Sequence, residues 1–332
     1  MTVYSVIVIS KVRKRMQFVS SHTPNGIGYQ YTNVAPPWEE SPATPVFFQH
    51  GIGDNRNTWA GWLPATLAER PAIGMDLRGH GTSIGADTAD VSVERIGQDV
   101  IGVLDELGIG KVHYAGSSFG GMLGYYLAAT APERFLTITT HSAPYRGDWV
   151  NNLDRWKEIL RTEGSSPWSE EVIAGFFTES FQVQEPAFIE WMKNAQHSLD
   201  PETAIAYFSV TQQTNLEPLL SNIHCPVLNL VGGSPIVDPR NADGLRSFVK
   251  QLENIKIPGS LHGIAMSHWR ECSAAALEFM ARWEPTLLNA NNAEGRDSEN
   301  LRDHGRKADR EEASLCSAGA SSPLLGSNTE TV

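Results

Sequence analysis

Cysteine is scarce in this chain of 332 residues. There are three cysteines, Cys225, Cys272 and Cys316, and they lie far apart in the sequence. An odd number of widely spaced cysteines does not build a disulfide framework, and without a C-x-x-C pair the spacing of a zinc site is missing. Such usage fits a reducing compartment, so we expect a cytoplasmic protein. Cys225 precedes Pro226 at the start of a predicted strand, where packing is its expected role.

Long apolar stretches are also missing. The apolar run near the N-terminus, residues 3–9, is far too short to span a bilayer. Basic residues follow this run, whereas in a secretory signal they precede it. We therefore expect no membrane partner, and we interpret residues 1–15 as an N-terminal extension without a role in the chemistry.

Clusters of positive charge are absent from the predicted folded region as well. The formal net charge is −12, and no basic stretch there interleaves with aromatic residues, which argues against a nucleic-acid partner. No H-E-x-x-H, Walker loop or G-x-G-x-x-G in the right context is present, so we expect neither a metal nor another cofactor. The expected partner is a small-molecule substrate, and the sequence leaves the oligomeric state open.

The most informative pattern that is present is G-x-S-x-G at residues 116–120. It follows the apolar residues 112–115 and precedes a helix-compatible stretch. A strand, sharp turn and helix in this order present a serine oxygen at the top of a sheet. The context favours Ser118 as a nucleophile over a Gly/Ser turn that only closes a strand. The N–H of Phe119, at the helix N-terminus, is expected to supply half of an oxyanion hole.

A second segment, His50-Gly51-Ile52-Gly53, follows an early predicted strand. Its glycines permit close approach of the backbone, and the N–H of Ile52 is the expected second oxyanion donor. Gly51 is expected to border the substrate pocket. A serine hydroxyl is a poor nucleophile without a base, and His262, in P-G-S-x-H-G after the last predicted strand, is the candidate.

These segments together resemble the α/β-hydrolase superfamily, over residues 18 to 283. The stretch at residues 76–83 matches the D-x-R-G-x-G-x-S pattern of that superfamily, and in relatives it supports the loops around the site. We therefore assign structural roles to Asp76, Arg78 and His80. Within the superfamily, the chain is most similar in appearance to esterases and relatives of 3-oxoadipate enol-lactonase.

The resemblance implies a mostly parallel eight-stranded sheet flanked by helices, with a helical lid inserted after the sixth strand. The alternation of predicted strands and helices independently indicates a mostly parallel sheet covered on both faces. The predicted core comprises residues 16–144 and 221–286. The predicted lid, residues 145–220, is rich in aromatic side chains, some of which should line an apolar pocket. Residues 289–332 contain no aromatic side chain, and we predict a disordered tail.

Two further residues are expected near the pocket, namely His141, at the end of the sixth predicted strand, and Trp149, at the start of the lid. The acid that orients the histidine is less clear. Relatives carry it after the seventh strand, but Ser234 stands in that neighbourhood here. Asp238 follows four residues later and is the first candidate, because an acid between Ser118 and the histidine gives the order found in α/β-hydrolases.

Alternatives to Asp238 are Asp148, after the sixth strand, or no effective acid at all. A missing acid would leave a slow enzyme or none, since its loss costs about 10⁴ in rate in a serine protease. The sequence thus predicts a carboxylic-ester hydrolase or lactonase that acts on a small apolar or aromatic substrate through an acyl-enzyme on Ser118. Carbon–carbon bond hydrolysis or perhydrolysis at the same site, and a low-turnover ligand-binding protein on the same scaffold, remain alternatives.

Overall fold

The computed structural model describes residues 17–36 and 43–284. The predicted extension 1–15, the predicted tail 289–332 and Cys316 lie outside these ranges. Cys225 and Cys272 are buried free thiols, and burial raises the pKa of each thiol to about 12. Within the described ranges, no helix is long and apolar enough to cross a membrane.

Eight strands form one sheet in the order β1-β2-β4-β3-β5-β6-β7-β8. The first two strands form an antiparallel hairpin, and β2 pairs antiparallel with β4. All pairings from β4 through β3 to β8 are parallel. The strands are β1 Gln17–His22, β2 Gly28–Asn33, β3 Val46–Gln49, β4 Ala72–Met75, β5 Val112–Ser117, β6 Phe135–His141, β7 Val227–Val231 and β8 Leu252–Lys256.

Helices connect the parallel strands, as parallel pairing requires. They are α1 Leu63–Glu69, α2 Val93–Glu106, α3 Phe119–Thr130, α4 Leu153–Thr162, α5 Ser165–Phe176, α6 Glu179–Gln184, α7 Pro186–His197, α8 Pro201–Gln213, α9 Arg240–Gly244, α10 Ile264–Ser267 and α11 Trp269–Arg282. In α2, Ser92 caps the first turn by accepting from the N–H of Arg95, and the buried side chains Ile96, Val100 and Val103 form one apolar face. The predicted sheet class is confirmed.

The helical insert after β6 is also confirmed, and it consists of α4 to α8. These helices share a hydrophobic core of their own, in which the ring of Phe208 packs against Trp156 and Trp168. The hydroxyl of Tyr207 in α8 donates to the carbonyl oxygen of Arg78, 3.0 Å away. This hydrogen bond joins the insert to the loop that follows β4.

The loop after β4 is organised by buried charges. The guanidinium of Arg78 donates to both carboxylate oxygens of Asp99 in α2, at 2.9 and 2.7 Å. Asp76 accepts from the backbone N–H groups of Arg56 and Thr82 and from the Arg56 guanidinium. These contacts fit the structural roles that the sequence predicts for this stretch, because they fix the conformation of the loop.

Candidate active site

Ser118 lies at the turn between β5 and α3, with φ of 52° and ψ of −116°. A non-glycine residue with positive φ is strained, and such strain persists only where the surroundings impose it. Here a Cβ on Gly116 would overlap the backbone of Gly120, and a Cβ on Gly120 would overlap the carbonyl oxygen of Gln49. The two glycines of the G-x-S-x-G pattern therefore allow the close backbone packing that holds Ser118 in this conformation.

The chain brings His262 to Ser118 from the far end of the sequence. The imidazole follows β8, and its Nε2 lies 3.0 Å from Oγ of Ser118. His262 is buried, and the ring of Phe176 from α5 packs against it at 4.6 Å between centroids. Burial lowers the pKa of the imidazole to about 3, so His262 is neutral near pH 7 and able to accept a proton.

The other ring nitrogen of His262 faces a serine. Nδ1 lies 2.9 Å from Oγ of Ser234, in the loop after β7. The same oxygen accepts from the backbone N–H groups of Ile236 and Val237, at 3.1 and 3.2 Å. A hydroxyl therefore occupies the place at which relatives were expected to carry an acid.

The two predicted acids lie elsewhere, and this corrects the geometry expected from the sequence. The carboxylate of Asp238 accepts from the backbone N–H and the guanidinium of Arg240, both at 2.8 Å. The carboxylate of Asp148 pairs with Arg146 at 2.9 and 2.7 Å. Neither carboxylate contacts His262, because each is held in an ion pair at the surface with an arginine two residues away.

Ile52 and Phe119, the two residues whose N–H groups are the expected oxyanion donors, line the same cavity as Ser118. Within the described part of the chain, the N–H groups of Ile52 and Phe119 donate to no other group. Gly51 lies against the serine, since a Cβ built on it would be 3.1 Å from Cβ of Ser118. The close approach leaves both N–H groups available for an oxygen bound at Ser118.

Two buried histidines hold the loop that carries Ile52. The N–H of Gly53 donates to Nε2 of His80 at 3.2 Å, and the N–H of Leu77 donates to Nε2 of His50 at 3.0 Å. Because Nε2 of His50 accepts, its proton lies on Nδ1, which donates to the carbonyl oxygen of Gly51 at 2.7 Å. Burial lowers the pKa of both imidazoles, to about 3 for His80. The loop is therefore fixed by neutral hydrogen bonds.

The helical insert covers the nucleophile. The cavity at Ser118 has a volume of about 30 Å³, and its walls are apolar apart from a few polar groups such as Ser118, Thr211 and His262. The insert contributes Leu153, Trp156, Trp168, Val172, Phe176 and Phe208 to these walls. This confinement excludes bulk water, which strengthens electrostatic interactions inside the cavity.

The predicted pocket residues His141 and Trp149 do not line this cavity. His141 is fully buried against the edges or faces of the Trp59 and Trp62 rings, which also contact each other, and its Nδ1 lies 3.2 Å from the carbonyl oxygen of Gly116. Trp149 packs against Tyr145 and stacks with two arginine guanidiniums. His141 ends β6 and points into the core, and Trp149 packs against Tyr145 and the main hydrophobic core, so these two expectations are corrected.

Comparison with known proteins places these features in a family. The family model described as "alpha/beta hydrolase fold" matches residues 44–268. The 3-oxoadipate enol-lactonase 2 of Acinetobacter baylyi is 26% identical over 193 residues, which are 56% of this chain and 70% of that protein. The bifunctional esterase/perhydrolase DCH of Acinetobacter calcoaceticus is 28% identical over 281 residues, 78% of this chain and 98% of that protein.

A solved structure shows the same fold. The enol-lactonase from Burkholderia xenovorans superposes with a TM-score of 0.70 at 19% identity and covers 79% of this chain and 100% of its own. At this identity the likeness concerns the fold alone. The similarity to enol-lactonases and esterases that the sequence suggests is thus confirmed at the level of family.

Proposed function

The chain belongs to the alpha/beta hydrolase fold family, and we propose that within it this protein is a serine hydrolase that cleaves an ester or lactone. One observation carries the proposal. Oγ of Ser118 sits on a strained turn, 3.0 Å from Nε2 of a buried neutral imidazole, beside two unoccupied backbone N–H donors. These are the nucleophile, base and oxyanion donors of acyl transfer.

In the proposed reaction, Oγ of Ser118 attacks the acyl carbon while Nε2 of His262 takes the hydroxyl proton. The negative charge that forms on the carbonyl oxygen is stabilised by the N–H groups of Ile52 and Phe119. The His262 imidazolium then protonates the leaving oxygen, and an acyl-enzyme remains on Ser118. Water activated by His262 releases the acid and restores the serine.

The walls of the cavity indicate the class of substrate. Aromatic and aliphatic side chains of the insert surround Ser118, whereas charged side chains are absent from the cavity walls within the described ranges. An apolar or aromatic acyl or alcohol group fits such walls. The two curated relatives are named as a lactonase and an esterase/perhydrolase, and the same site here would serve perhydrolysis if hydrogen peroxide replaced water.

Covalent labelling tests the proposed nucleophile. A fluorophosphonate should react with Oγ of Ser118, because the neutral imidazole accepts its proton and the oxyanion donors hold the phosphoryl oxygen. Mass spectrometry of the digested protein should place the adduct on the peptide that contains Ser118. The same protein should hydrolyse p-nitrophenyl acetate or members of a lactone panel. An adduct on another serine, or none together with no turnover, would refute the proposal.

The pH dependence of hydrolysis should be unusual. The active form of His262 is neutral, and burial lowers its pKa to about 3. The neutral form is lost only when the pH falls towards that value, so kcat/KM should stay constant from about pH 8 to about pH 5, whereas an ordinary imidazole titrates near pH 6.5. The measurement is kcat/KM for a non-ionising ester, with circular dichroism as a control for folding at each pH. An activity midpoint near pH 6.5 would contradict the expectation.

A low-turnover ligand-binding protein is the second candidate. The contact between Nδ1 of His262 and Ser234 favours it, because this nitrogen lacks the carboxylate that stabilises the imidazolium during acyl transfer. Steady turnover of any ester or lactone with release of product beyond one equivalent per protein decides for the hydrolase. A single stoichiometric burst decides for the binding protein.

A further inference from the structure

The hydroxyl of Ser234 has three hydrogen-bond partners, and together they determine where its hydrogen points. Its oxygen accepts from the backbone N–H groups of Ile236 and Val237, at 3.1 and 3.2 Å, and lies 2.9 Å from Nδ1 of His262. A hydroxyl has one hydrogen to donate and two lone pairs with which to accept. The two backbone donors occupy both lone pairs.

The remaining bond must therefore use the hydrogen of Ser234. That hydrogen can be directed only at Nδ1 of His262, which then accepts. A neutral imidazole has one accepting and one donating nitrogen, so the proton of His262 lies on Nε2. The same assignment of donors and acceptors gives the opposite tautomer for His50, in which Nε2 accepts from the N–H of Leu77 and Nδ1 carries the proton.

We propose that Ser234 is a positioning residue that holds His262 in the tautomer with its proton on Nε2, and that it thereby restrains the reaction at Ser118. This inference rests on the proposed hydrolase function. In the restrained tautomer, Nε2–H donates to Oγ of Ser118 and has no lone pair for the serine proton. Attack on an acyl carbon requires the other tautomer, in which Nδ1 carries the proton and Nε2 accepts from Ser118.

A carboxylate at position 234 would reverse this preference. It is an acceptor only, so it can take the two backbone N–H bonds and a bond from Nδ1–H together. It would also stabilise the imidazolium that forms during attack. Ser234 borders a cavity of about 900 Å³ whose lining includes neither Ser118 nor His262. The donors around position 234 therefore suit a carboxylate, but the side chain there is a hydroxyl.

Among the residues that the structure describes, no ionised side chain contacts the ring of His262 in place of an acid. Ser118, Ser234 and Phe176 contact the imidazole, and burial alone accounts for the lowered pKa of His262. The nearest acid in sequence to Ser234, Asp238, is bound to Arg240. The preference for one tautomer is therefore set by the hydroxyl and not by a more distant ionised group.

The decisive variant is Ser234→Asp in the full chain. We expect kcat/KM for p-nitrophenyl acetate to rise by roughly 10²- to 10⁴-fold, since enforcing the wrong tautomer costs about 10⁴ in a serine protease. Ser234→Asn is the matched control, because its side chain has the same shape as aspartate but no charge, and its amide can donate to Nδ1. Asp238→Asn should leave kcat/KM unchanged. Thermal unfolding of each variant verifies that it folds.

Nitrogen NMR of histidine-labelled protein reads the tautomer without any turnover. In the wild type, the ¹⁵N shift of Nδ1 of His262 should lie in the range of an unprotonated nitrogen and that of Nε2 in the range of a protonated one. In Ser234→Asp the two should exchange. Ser118→Ala changes the partner of Nε2 alone, so it assigns the Nε2 signal.

The outcomes separate this inference from the proposed function. A protonated Nδ1 in the wild type overturns the inference, as does a folded Ser234→Asp protein that is no faster than Ser234→Asn. If an unprotonated Nδ1 is observed but neither wild type nor Ser234→Asp turns over any ester or reacts with a fluorophosphonate, the tautomer assignment stands and the hydrolase function fails, together with the proposed restraint on it.

Discussion

Ser118→Ala should reduce kcat/KM for an ester substrate by about 10³-fold or more. Removal of the nucleophile costs about 10⁶ in a serine protease with a complete triad. The loss is expected to be smaller here, because Ser234 already holds His262 in the unproductive tautomer. In the Ser234→Asp background the same substitution should cost more, since the two residues act through one imidazole and their effects are not additive. Initial rates at substrate concentrations well below KM measure both losses.

Ser117→Ala is the matched control for this experiment. Ser117 is the neighbouring serine at the end of β5, and it is buried but makes no contact with His262 among those described. Its replacement should change kcat/KM by less than about threefold, because a small buried substitution without a catalytic contact leaves the site in place. Equal losses in Ser117→Ala and Ser118→Ala would point to misfolding of the turn, and undiminished activity in Ser118→Ala would exclude the nucleophile.

The parts of the site that could be predicted from sequence are those set by local geometry. The turn at Ser118 needs glycine at positions 116 and 120, and these glycines are visible as a pattern. The family match and the sheet confirm that this pattern lies between a strand and a helix of an α/β-hydrolase fold. The backbone donors of Ile52 and Phe119 follow from the same local reasoning, because their positions depend on the main chain. Their role in catalysis stays a prediction.

The acid position could not be settled from sequence, because it depends on how one loop folds. Ser234 and Asp238 are four residues apart, and both precede His262 by a suitable distance. The N–H groups of Ile236 and Val237 donate to Oγ of Ser234, and these bonds place Ser234 rather than Asp238 next to His262. Arg240, two residues from Asp238, binds the carboxylate of Asp238. The pattern of apolar residues in the sequence does not indicate which of Ser234 and Asp238 faces His262.

The side-chain directions of the predicted pocket residues, His141 and Trp149, could not be predicted from sequence either. His141 and Trp149 lie at the expected place along the chain, directly after or within a few residues of β6. Burial against Trp59 and Trp62 turns His141 into the core, and stacking with arginines holds Trp149 outside the cavity. Sequence order predicts which segment approaches a site, whereas the direction of each side chain depends on packing between segments that are distant in the chain.

Asp99→Ala should lower the free energy of unfolding by roughly 3–5 kcal/mol, which is the usual cost of removing one partner of a buried ion pair. Asp99 and Arg78 are both almost fully buried, and removal of the carboxylate leaves a buried guanidinium with an uncompensated charge. Burial raises the pKa of Asp99 and the Arg78 hydrogen bonds oppose that rise. The hydroxyl of Tyr207 in the insert donates to the backbone carbonyl oxygen of Arg78, so the insert that covers Ser118 should loosen when the segment around Arg78 is disturbed. Urea unfolding followed by circular dichroism measures the loss.

Asp105→Ala is the control that isolates burial as the cause. Asp105 lies on the same helix, α2, and it also pairs with an arginine, Arg134, at 2.9 Å, but its side chain is 64% exposed. Water and salt screen such a pair, so its loss should cost less than about 1 kcal/mol. If both variants lose the same small amount, the pair between Arg78 and Asp99 is not what stabilises the loop after β4, and the contacts of Asp76 with Arg56 and Thr82 become the main support of that loop.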